Sequence, residues 1–389
     1  MVENEIKDIL EQFDIDGELI DNPTSKTNGN INKTFIATYK MNNGEIKQFI
    51  FQKINTTVFK EPYKLMENIE NVTNYIEKKS KISGDVEHPC LRVIPTKKHK
   101  ALATVLDKNG EKQYYRAYNC IENSISYDVT TDENVIFNAG KAFGHFQKLL
   151  SDFPIETLEE TIQDFHNTPK RYANFIKDVR LDVCDRVDEV SKEITFVIKN
   201  SACVSTITDL MEKGKIPVRV THNDTKINNV MMDKDTGKYL TVIDLDTVMP
   251  GSFLYDFGDG VRSACANAIE DEVDLSKVYI RLDLFEVFTD GYLSEMASYL
   301  TDDEVCNLVD AIEIITFELG LRFLNDYING DTYFKVNYDK HNLVRARNQF
   351  KLLSDIKNKK SYMEDYVMNR YRFYKKIENV SSKKLELKH

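Results

Sequence analysis

The chain has 389 residues, enough for two domains with sizeable cores, and its 41% hydrophobic and 30% charged residues are ordinary for a globular protein. The net charge of −11 argues against nucleic acid as a partner, because an acidic surface repels a phosphate backbone. The scattered cysteines indicate reduced thiols. The sequence shows no signal-peptide pattern and no apolar run as long as a membrane span, so we expect a cytoplasmic protein without membrane contact.

The N-terminal part has the pattern of a small antiparallel sheet with one inserted helix. Runs rich in β-branched and aromatic residues alternate with turn signals such as Asn43-Gly44, and apolar residues at helical spacing follow Pro62. In chain order, the predicted elements are a helix at 3–13, strands at 34–39 and 48–54, a helix at 62–79, and strands at 90–94, 101–106 and 114–121.

The remainder of the chain is predicted to be mainly helical. The composition changes at residues 120–124, which we predict to be a hinge between an N-terminal lobe (1–121) and a C-terminal lobe (122–389). The predicted fold class is α+β, with a small antiparallel sheet in the first lobe and mostly helices in the larger second lobe. Helices are expected from residue 132 onward and through 170–213, 276–299, 303–329 and 340–378.

Residues 218–246, which read VRVTHNDTKINNVMMDKDTGKYLTVIDLD, hold side chains that suit phosphoryl transfer. His222, Asp224 and Asn229 match the His-x-Asp-x-x-x-x-Asn spacing of the kinase catalytic loop. The transferred phosphoryl carries its charge on its own oxygens, so catalysis needs mainly positioning and charge neutralisation. We therefore expect Asp224 to accept the proton of a hydroxyl nucleophile and Lys226 to face the terminal phosphate. His222 is expected to brace the loop rather than to act as a base.

A carboxylate at the end of the following apolar strand completes a predicted magnesium site. Mg²⁺ prefers oxygen ligands, usually one or two carboxylates together with phosphate oxygens. Asp244 and the side-chain oxygen of Asn229 fit this preference. Asp246 is a further candidate ligand, with a supporting role and a solvated position as alternatives. Asp256, farther along the chain, is expected to tie down the catalytic loop through hydrogen bonds.

The N-terminal lobe offers candidate nucleotide contacts. The turn at 27–32 contains Gly29, where backbone amides could approach phosphate oxygens, although an ordinary polar turn is the alternative. Lys53 closes an apolar strand, and a kinase would use such a lysine to hold the inner phosphates, braced by a glutamate from the next helix. Glu70 is the preferred brace and Glu67 the second choice. A strand-end lysine that merely extends into solvent is the alternative for Lys53.

Two further candidates lie toward the C-terminus. Arg322 falls in an apolar helix, where a guanidinium must be paired or must line a cavity. Contact with a substrate and an internal salt bridge to Glu318 or Asp326 are both compatible with its position. Tyr333 follows a turn at 329–331 that could approach the same cavity.

These residues and their spacing resemble those of the aminoglycoside phosphotransferase and choline kinase superfamily, which has the protein-kinase-like fold. More narrowly, the chain is similar to the N-acetylhexosamine 1-kinases, which use ATP and magnesium to phosphorylate the anomeric hydroxyl of N-acetylglucosamine and N-acetylgalactosamine. The resemblance spans about residues 29–352. The matching stretches are GNINKTF, FQKINTTVF, LMENIENVT, IENSISYD, AGKAFGHFQ, FHNTPKR, RVTHNDTKINNVMMD, VIDLDTVMPGSFLYDFGDGVR, GLRFLNDYINGDTYF and HNLVRARNQFKL.

The resemblance implies a bilobal protein-kinase-like fold with ATP and Mg²⁺ as cofactors. Asp224 would be the base for the anomeric hydroxyl, Glu122 in the hinge would contact the nucleotide, and Arg322 and Tyr333 would lie near the sugar. The family pattern has a histidine in the small-lobe turn where this chain has Asn30, so this possible substrate contact departs from the pattern. The expected partners are a small sugar and a nucleotide. The oligomeric state is left open, with a monomer favoured.

Other functions fit parts of the same pattern. A kinase of this fold could act on another small hydroxyl substrate, such as another hexose, an aminoglycoside or a choline-like alcohol, and a strongly acidic cavity would favour the cationic acceptors. A silent nucleotide-binding protein is disfavoured because Asp224, Asn229 and Asp244 are all intact. A metal-dependent hydrolase would need histidine ligands near the aspartates, and only His222 is close in sequence.

Overall fold

The computed structural model describes residues 2–26 and 31–386, and it has the predicted α+β architecture, with an antiparallel sheet followed by a mainly helical part. The strands are β1 (Gly17–Leu19), β2 (Thr24–Lys26), β3 (Lys33–Met41), β4 (Ile46–Lys53), β5 (Val93–Ile94), β6 (Ala103–Leu106), β7 (Lys112–Asn119), β8 (Ser124–Ile125), β9 (Arg219–Thr221), β10 (Val230–Asp233), β11 (Tyr239–Val242) and β12 (Met249–Gly251). The helices are α1 (Val2–Leu10), α2 (Pro62–Ser83), α3 (Glu133–Leu149), α4 (Thr168–Leu181), α5 (Ser191–Asn200), α6 (Thr206–Glu212), α7 (Phe253–Ala264), α8 (Leu282–Met296), α9 (Asp302–Cys306), α10 (Leu308–Ile328) and α11 (His341–Glu386).

Within the described residues, the first sheet has seven strands in the order β1-β3-β4-β7-β5, with β2 paired to β3 and β6 paired to β7. The β3–β4 hairpin turns at Gly44, whose φ of 87° is the left-handed conformation that the Asn-Gly signal predicts. The inserted helix α2 has Pro62 in its first turn and ends at Gly84, which is also left-handed with a φ of 69°.

The two faces of this sheet pack against different parts of the molecule. Phe49 and Phe51 of β4 join a core with Phe13, which follows α1. Ile50 and Ile54 join the core that is shared with α2 and the helical lobe. Because side chains alternate along a strand, the odd-numbered residues of β4 face α1 and the even-numbered residues face the helical lobe.

The chain leaves the first sheet after β7 and enters a second sheet, ordered β11-β10-β8, at residue 124. A separate pairing of β9 with β12 holds the two ends of the catalytic segment together. Helices α3 and α8 approach so closely that a Cβ atom on Gly140 would lie 2.2 Å from the carbonyl oxygen of Phe288. Within the described part of the chain, no helix has the length and apolar character needed to span a membrane.

Some predicted elements are shorter or more broken than the sequence pattern indicates. The region 170–213 divides into α4, α5 and α6, and the first break is at Asp182, whose left-handed backbone ends α4. The region 303–329 divides into α9 and α10 at Asn307. The predicted strand at 90–94 shrinks to Val93–Ile94.

Candidate active site

The catalytic loop between β9 and β10 is held by one buried carboxylate from α7. Asp256 accepts hydrogen bonds from the backbone N–H groups of His222 (2.9 Å) and Asn223 (2.8 Å) and from the side-chain amide of Gln147 (3.0 Å). The hydroxyl of Thr225 donates to the Asp256 carbonyl at 2.6 Å. These contacts confirm that Asp256 ties down the loop, as the sequence predicts.

His222 braces the same loop from the inside, also as predicted. Its side chain is completely buried, with the rings of Phe143 and Phe146 edge-on at 5.9 and 5.7 Å. Its Nε2 lies 3.0 Å from the carbonyl oxygen of Ile243, and its Nδ1 accepts the backbone N–H of Asp224 at 3.3 Å. Both ring nitrogens are therefore occupied by backbone groups, which leaves neither for catalysis.

Asp256→Ala is expected to lower the free energy of unfolding by about 3 kcal/mol, because it leaves two buried backbone N–H groups without acceptors. Chemical denaturation monitored by circular dichroism measures this loss. Asp274→Ala is the matched control, since Asp274 accepts a backbone N–H from Ser276 but is exposed. Equal losses in the two variants would contradict the assigned bracing role.

Asp224, Lys226 and Asn229 form one cluster in this loop. The ammonium of Lys226 lies 2.9 Å from Oδ1 of Asp224, and the side-chain amide of Asn229 donates to Oδ2 of Asp224 at 3.1 Å and to its carbonyl at 2.8 Å. Burial disfavours ionisation of Asp224, but the charge and hydrogen bond of Lys226 outweigh it and hold the pKa of that carboxyl below its usual value. Asp224 is therefore a carboxylate at neutral pH.

Asp244, a further candidate metal ligand, lies close enough to this cluster for the charge of Asp224 to affect its pKa. It follows β11 with a left-handed backbone (φ 62°), and its side chain is exposed. Although part of Asp244 is open to solvent, desolvation of its carboxyl by the surrounding protein atoms raises its pKa to about 6, and the negative charges of Asp246 and Asp224 add to this effect. A divalent cation would relieve this crowding of carboxylates. The amide nitrogen of Asn229 is already used by Asp224, so its side-chain oxygen is left for a cation, and the donor set fits Mg²⁺.

Asp246 lies in a buried position that fits the supporting role among the predicted alternatives, and its role as a metal ligand stays a prediction. It is 4% exposed, which excludes the solvated alternative. Its Oδ1 forms an ion pair with the guanidinium of Arg116 on β7, and its Oδ2 accepts a 2.6 Å hydrogen bond from the side chain of Asn32. Arg116 is 1% exposed and also donates to Oε1 of Gln52 at 3.0 and 2.8 Å. Both oxygens of Asp246 are thus held by the N-terminal lobe.

Arg116→Met is expected to destabilise the protein by about 3 kcal/mol or more, because it leaves the Asp246 carboxylate buried without its counter-charge. Asp246→Asn should cost a similar amount for the converse reason. The double variant has no unpaired charge at this point, so its loss should be smaller than the sum of the single losses. Urea unfolding of the wild type, both single variants and the double variant measures the coupling. Additive losses would show that the two residues do not act as a pair.

The structure does not support the predicted pairing of Lys53 with Glu70. Lys53 follows Phe51 on the face of β4 that packs toward α1, and it is close enough to Asp107 to interact with it electrostatically. No ion pair joins Lys53 to Glu70 in the part of the chain that the structure describes. Glu70 is partly buried near Glu67, and burial together with that neighbouring charge raises its pKa. Arg116 lies on the opposite face of the same sheet, the face that packs toward α2 and the helical part, because it is paired with Gln52 of β4.

The remaining nucleotide candidates lie at the edges of the N-terminal lobe. Glu122 is in the segment that crosses from β7 to β8, where its side chain is exposed and interacts electrostatically with Lys47. Gly29 and Asn30 lie outside the described residues. Asn32, two residues later, is described, and its side chain donates a hydrogen bond to Asp246 in the segment of the predicted metal ligands.

Arg322 lies in an aromatic environment and has no carboxylate partner among the described residues. Its guanidinium carbon is 5.7, 5.9 and 5.4 Å from the ring centroids of Phe165, Tyr333 and Phe334. The two carboxylates considered as salt-bridge partners are used otherwise. Glu318 contacts His166, Thr168 and Arg171, and Asp326 accepts the backbone N–H groups of residues 332–334 and the Asn342 amide. Arg322 thus forms no ion pair within 4.0 Å among the described residues, although its charge helps His166 and Arg171 to outweigh the burial of Glu318 and lower the pKa of that carboxyl.

Arg116 and Asn32 are the residues of the site that the sequence analysis missed. Asn32 is one asparagine among several in a polar turn, and nothing in the sequence distinguishes it. Arg116 did carry a signal, because it is a charged residue between Tyr115 and Ala117 in a predicted strand. A charge at such a position is expected to have a partner on a neighbouring element.

Comparison with known proteins agrees with this geometry. Residues 39–277 match the model of the phosphotransferase enzyme family. A microcompartment-associated aminopropanol kinase is 14% identical with a TM-score of 0.61, covering 93% of this chain and 98% of its own. The GDP complex of an aminoglycoside 2′-phosphotransferase-IIIa is 12% identical with a TM-score of 0.57, covering 90% of this chain and 99% of its own. An amicoumacin kinase in complex with AMP-PNP, Ca²⁺ and Ami is 12% identical with a TM-score of 0.54, covering 92% and 94%. These structures share the fold, and the family match covers more than half of the chain, which therefore belongs to the phosphotransferase enzyme family.

Proposed function

We propose that the protein transfers the terminal phosphoryl group of ATP to the anomeric hydroxyl of an N-acetylhexosamine and so forms a sugar 1-phosphate. The observation that carries this proposal is the cluster of Asp224, Lys226 and Asn229, with the carboxylate of Asp244 close enough to be perturbed by Asp224. A carboxylate, an ammonium and two oxygen ligands are the parts that phosphoryl transfer to a hydroxyl requires.

Each residue has a defined part in this reaction. Asp224, ionised at neutral pH, orients the acceptor hydroxyl and takes its proton as the new oxygen–phosphorus bond forms and the bond from the terminal phosphorus to the bridging oxygen breaks, so that ADP leaves. Lys226 neutralises Asp224 in the free protein and can share its charge with the terminal phosphate. Asn229 and Asp244 would hold Mg²⁺. When bound, the ion neutralises charge on the phosphate oxygens.

Two observations support the assignment of a nucleotide as the phosphoryl donor: the ligands of structures with a similar fold, and a buried cation in the N-terminal lobe. Two of the similar structures are named as complexes with AMP-PNP and GDP. Arg116, on the face of the sheet that packs toward α2, supplies a buried cation beside Asp246, and the negative charges of Asp246 and Asp244 outweigh burial and raise the pKa of its guanidinium. We propose that Arg116, from its buried position beside Asp246, supplies positive charge near the inner phosphates without contacting them, in place of Lys53.

The choice of an N-acetylated sugar is supported by Arg322. A guanidinium that is not paired with a carboxylate can donate to a neutral carbonyl, such as that of an acetamido group. Arg171 lies near enough for its pKa to be lowered by burial and by the positive charge of Arg322. Two neighbouring guanidinium groups, only one of which has a carboxylate partner in Glu318, disfavour a cationic acceptor at this point.

A kinase for a cationic hydroxyl compound is the second candidate. The observation in its favour is the acidic group around Lys226, where Asp259 and Glu270 both raise the pKa of the lysine after the larger effect of Asp224. Arg262 offsets part of that charge through contacts of 2.8 and 2.7 Å with the two carboxylates. The kinases named above for aminopropanol and amicoumacin have the same fold but are distant in sequence.

A substrate panel separates the two candidates. Purified protein is incubated with ATP and Mg²⁺ and with N-acetylglucosamine, N-acetylgalactosamine, galactose, aminopropanol, choline or kanamycin, and products are identified by ³¹P NMR. A phosphate coupled to an anomeric proton is expected with the N-acetylated sugars. Transfer only to the amino alcohols or kanamycin would favour the second candidate, and absence of any sugar 1-phosphate would count against the first.

Arg322→Met is expected to raise the KM for the N-acetylated sugar by tenfold or more, since a charge-assisted hydrogen bond contributes about 1.5–3 kcal/mol. The KM for ATP should not change, because Arg322 is not among the proposed nucleotide contacts. Steady-state kinetics with each substrate varied in turn measures both values. Arg347→Met, which removes an exposed arginine paired with Glu193, is the control. An unchanged sugar KM in Arg322→Met would remove this residue from the substrate site.

A further inference from the structure

Two histidines and an aspartate meet where the end of α2 approaches α3, and none of them belongs to the candidate active site. Asp85 and His88 are in the loop after α2, and His145 is on α3. One ligand atom from each residue lies within 4.8 Å of the other two. Nδ1 of His88 is 2.9 Å from both carboxylate oxygens of Asp85, and Nε2 of His145 is 3.6 Å from Oδ2 of Asp85.

The last of these distances is too long for a hydrogen bond but suits two ligands of one metal ion. Two ligands that each lie about 2.1 Å from a tetrahedral ion are about 3.4 Å apart. The side chains of Asp85, His88 and His145 are 15%, 22% and 14% exposed, so the group is enclosed but still reachable from solvent. The cluster is therefore compact enough to hold an ion with small movements.

Tyr239 on β11 orients both imidazole rings. Its hydroxyl lies 2.5 Å from Nδ1 of His145, and its ring stacks on His88 with a centroid distance of 4.3 Å and an interplanar angle of 13°. With Nδ1 of His145 donating to this hydroxyl, Nε2 presents its lone pair toward Asp85. Metal-binding histidines usually have such a partner on the second ring nitrogen. Burial lowers the pKa of His145 to about 4, so its ring is neutral near pH 7.

A cavity of about 40 Å³ adjoins the cluster and is lined by His88, His145, Tyr239 and Cys90, among others. This volume is enough for a water molecule, which requires about 10–15 Å³ on the same measure. A metal ion with three protein ligands needs a fourth ligand, such as this water molecule, to complete a tetrahedral coordination. The cavity therefore supplies room for a water molecule beside the two histidines.

We propose that Asp85, His88 and His145 bind a divalent transition-metal ion of the Zn²⁺ class, at a site separate from the magnesium site. Two imidazoles and one carboxylate suit zinc and its neighbours in the first transition row, whereas Mg²⁺ prefers an all-oxygen set. Because Asp85 and His88 follow α2 and His145 belongs to the helical lobe, the ion would fasten the end of α2 to α3. Its binding should therefore raise the melting temperature.

The test is metal binding by the full-length protein after treatment with a chelator. Zn²⁺ is titrated by calorimetry in excess Mg²⁺, and Co²⁺ is titrated in parallel because its visible absorption reports the coordination. We expect the wild type to take up one ion per chain at this site, with an increase in melting temperature that a chelator reverses. His88→Ala and His145→Ala should each weaken Zn²⁺ binding at least about tenfold to a hundredfold.

His99→Ala is the matched control, because His99 is exposed and lies outside the cluster. It should bind Zn²⁺ like the wild type. If an alanine variant fails to fold by circular dichroism, Asp85→Asn and Tyr239→Phe test the same site with smaller changes, and both should weaken binding. The proposal is overturned if the folded wild type takes up no Zn²⁺ in excess Mg²⁺, or if the cluster variants that fold bind it as tightly as the His99 variant.

Discussion

Asp224→Asn is expected to abolish phosphoryl transfer while leaving nucleotide binding nearly intact. Asparagine keeps the shape of the side chain but cannot accept the proton of the acceptor hydroxyl, and loss of a general base typically costs about 10²–10⁴ in rate. A fall in kcat of about a thousandfold is expected. The measurements are kcat with the acceptor identified by the substrate panel and the Kd for ATP by calorimetry. Wild-type turnover in this variant would show that Asp224 is not the base.

The control for Asp224→Asn is Asp233→Asn, which makes the same change at a half-buried residue that ends β10 and begins the β10–β11 turn. Its kcat should equal that of the wild type. The pH dependence gives a second check. Because Lys226 holds the pKa of Asp224 below its usual value, Asp224 remains ionised throughout the neutral range. We therefore expect protonation of Asp224 to cause no decline in kcat just below neutral pH.

The parts of the site that are adjacent in sequence could be predicted, because their information is local. The spacing of His222, Asp224 and Asn229 predicts a catalytic loop, and in the structure hydrogen bonds join Asp224 to both of the other residues. The helix at α2 was predictable from its apolar spacing and from Pro62. The α+β class follows from the change in periodicity along the chain, and the structure confirms it.

The contacts that join distant segments could not be predicted from the same information. Arg116 and Asp246 are 130 positions apart, and no spacing rule connects them. The orientation of Lys53 was ambiguous for a different reason. The strand that precedes it, FIF, is apolar on both faces, so its pattern does not alternate and does not say which face meets the cleft. The sheet register and the packing of α1 decide it.

The aspartates of the site show how one side chain takes different roles in different environments. Asp224 is paired with a lysine and stays ionised as a base, whereas Asp256 accepts backbone N–H groups and holds the loop. Asp246 is paired with a buried arginine and joins the lobes. Asp244 has neither a cation at ion-pair distance among the described residues nor the backbone N–H donors that hold Asp256, and its pKa is raised to about 6. The environment of each carboxylate therefore distinguishes the proposed ligand from the residues that support it.

Asp244→Asn is expected to stabilise the metal-free protein at neutral pH. The pKa of Asp244 in the folded protein is about 6, above the ordinary value of 3.8, so its ionisation near neutral pH costs folding free energy. The contribution of this carboxyl to stability is present at low pH and is lost as the pH rises through about 6. Asparagine avoids this loss. With a chelator present, the variant should melt higher than the wild type at about pH 8 and level with it near about pH 4.

The order should reverse when Mg²⁺ and ATP are added. The wild type gains stability from the bound metal–nucleotide complex, whereas the variant lacks a charged ligand and gains less. Its activity at limiting Mg²⁺ should fall correspondingly. Asp235→Asn, at an exposed turn, should follow the wild type under both conditions. If the metal-free variant melts below the wild type, the Asp244 carboxylate stabilises the fold through its contacts, and its ionisation does not cost folding free energy. Full activity in the variant at limiting Mg²⁺ would exclude Asp244 as a ligand.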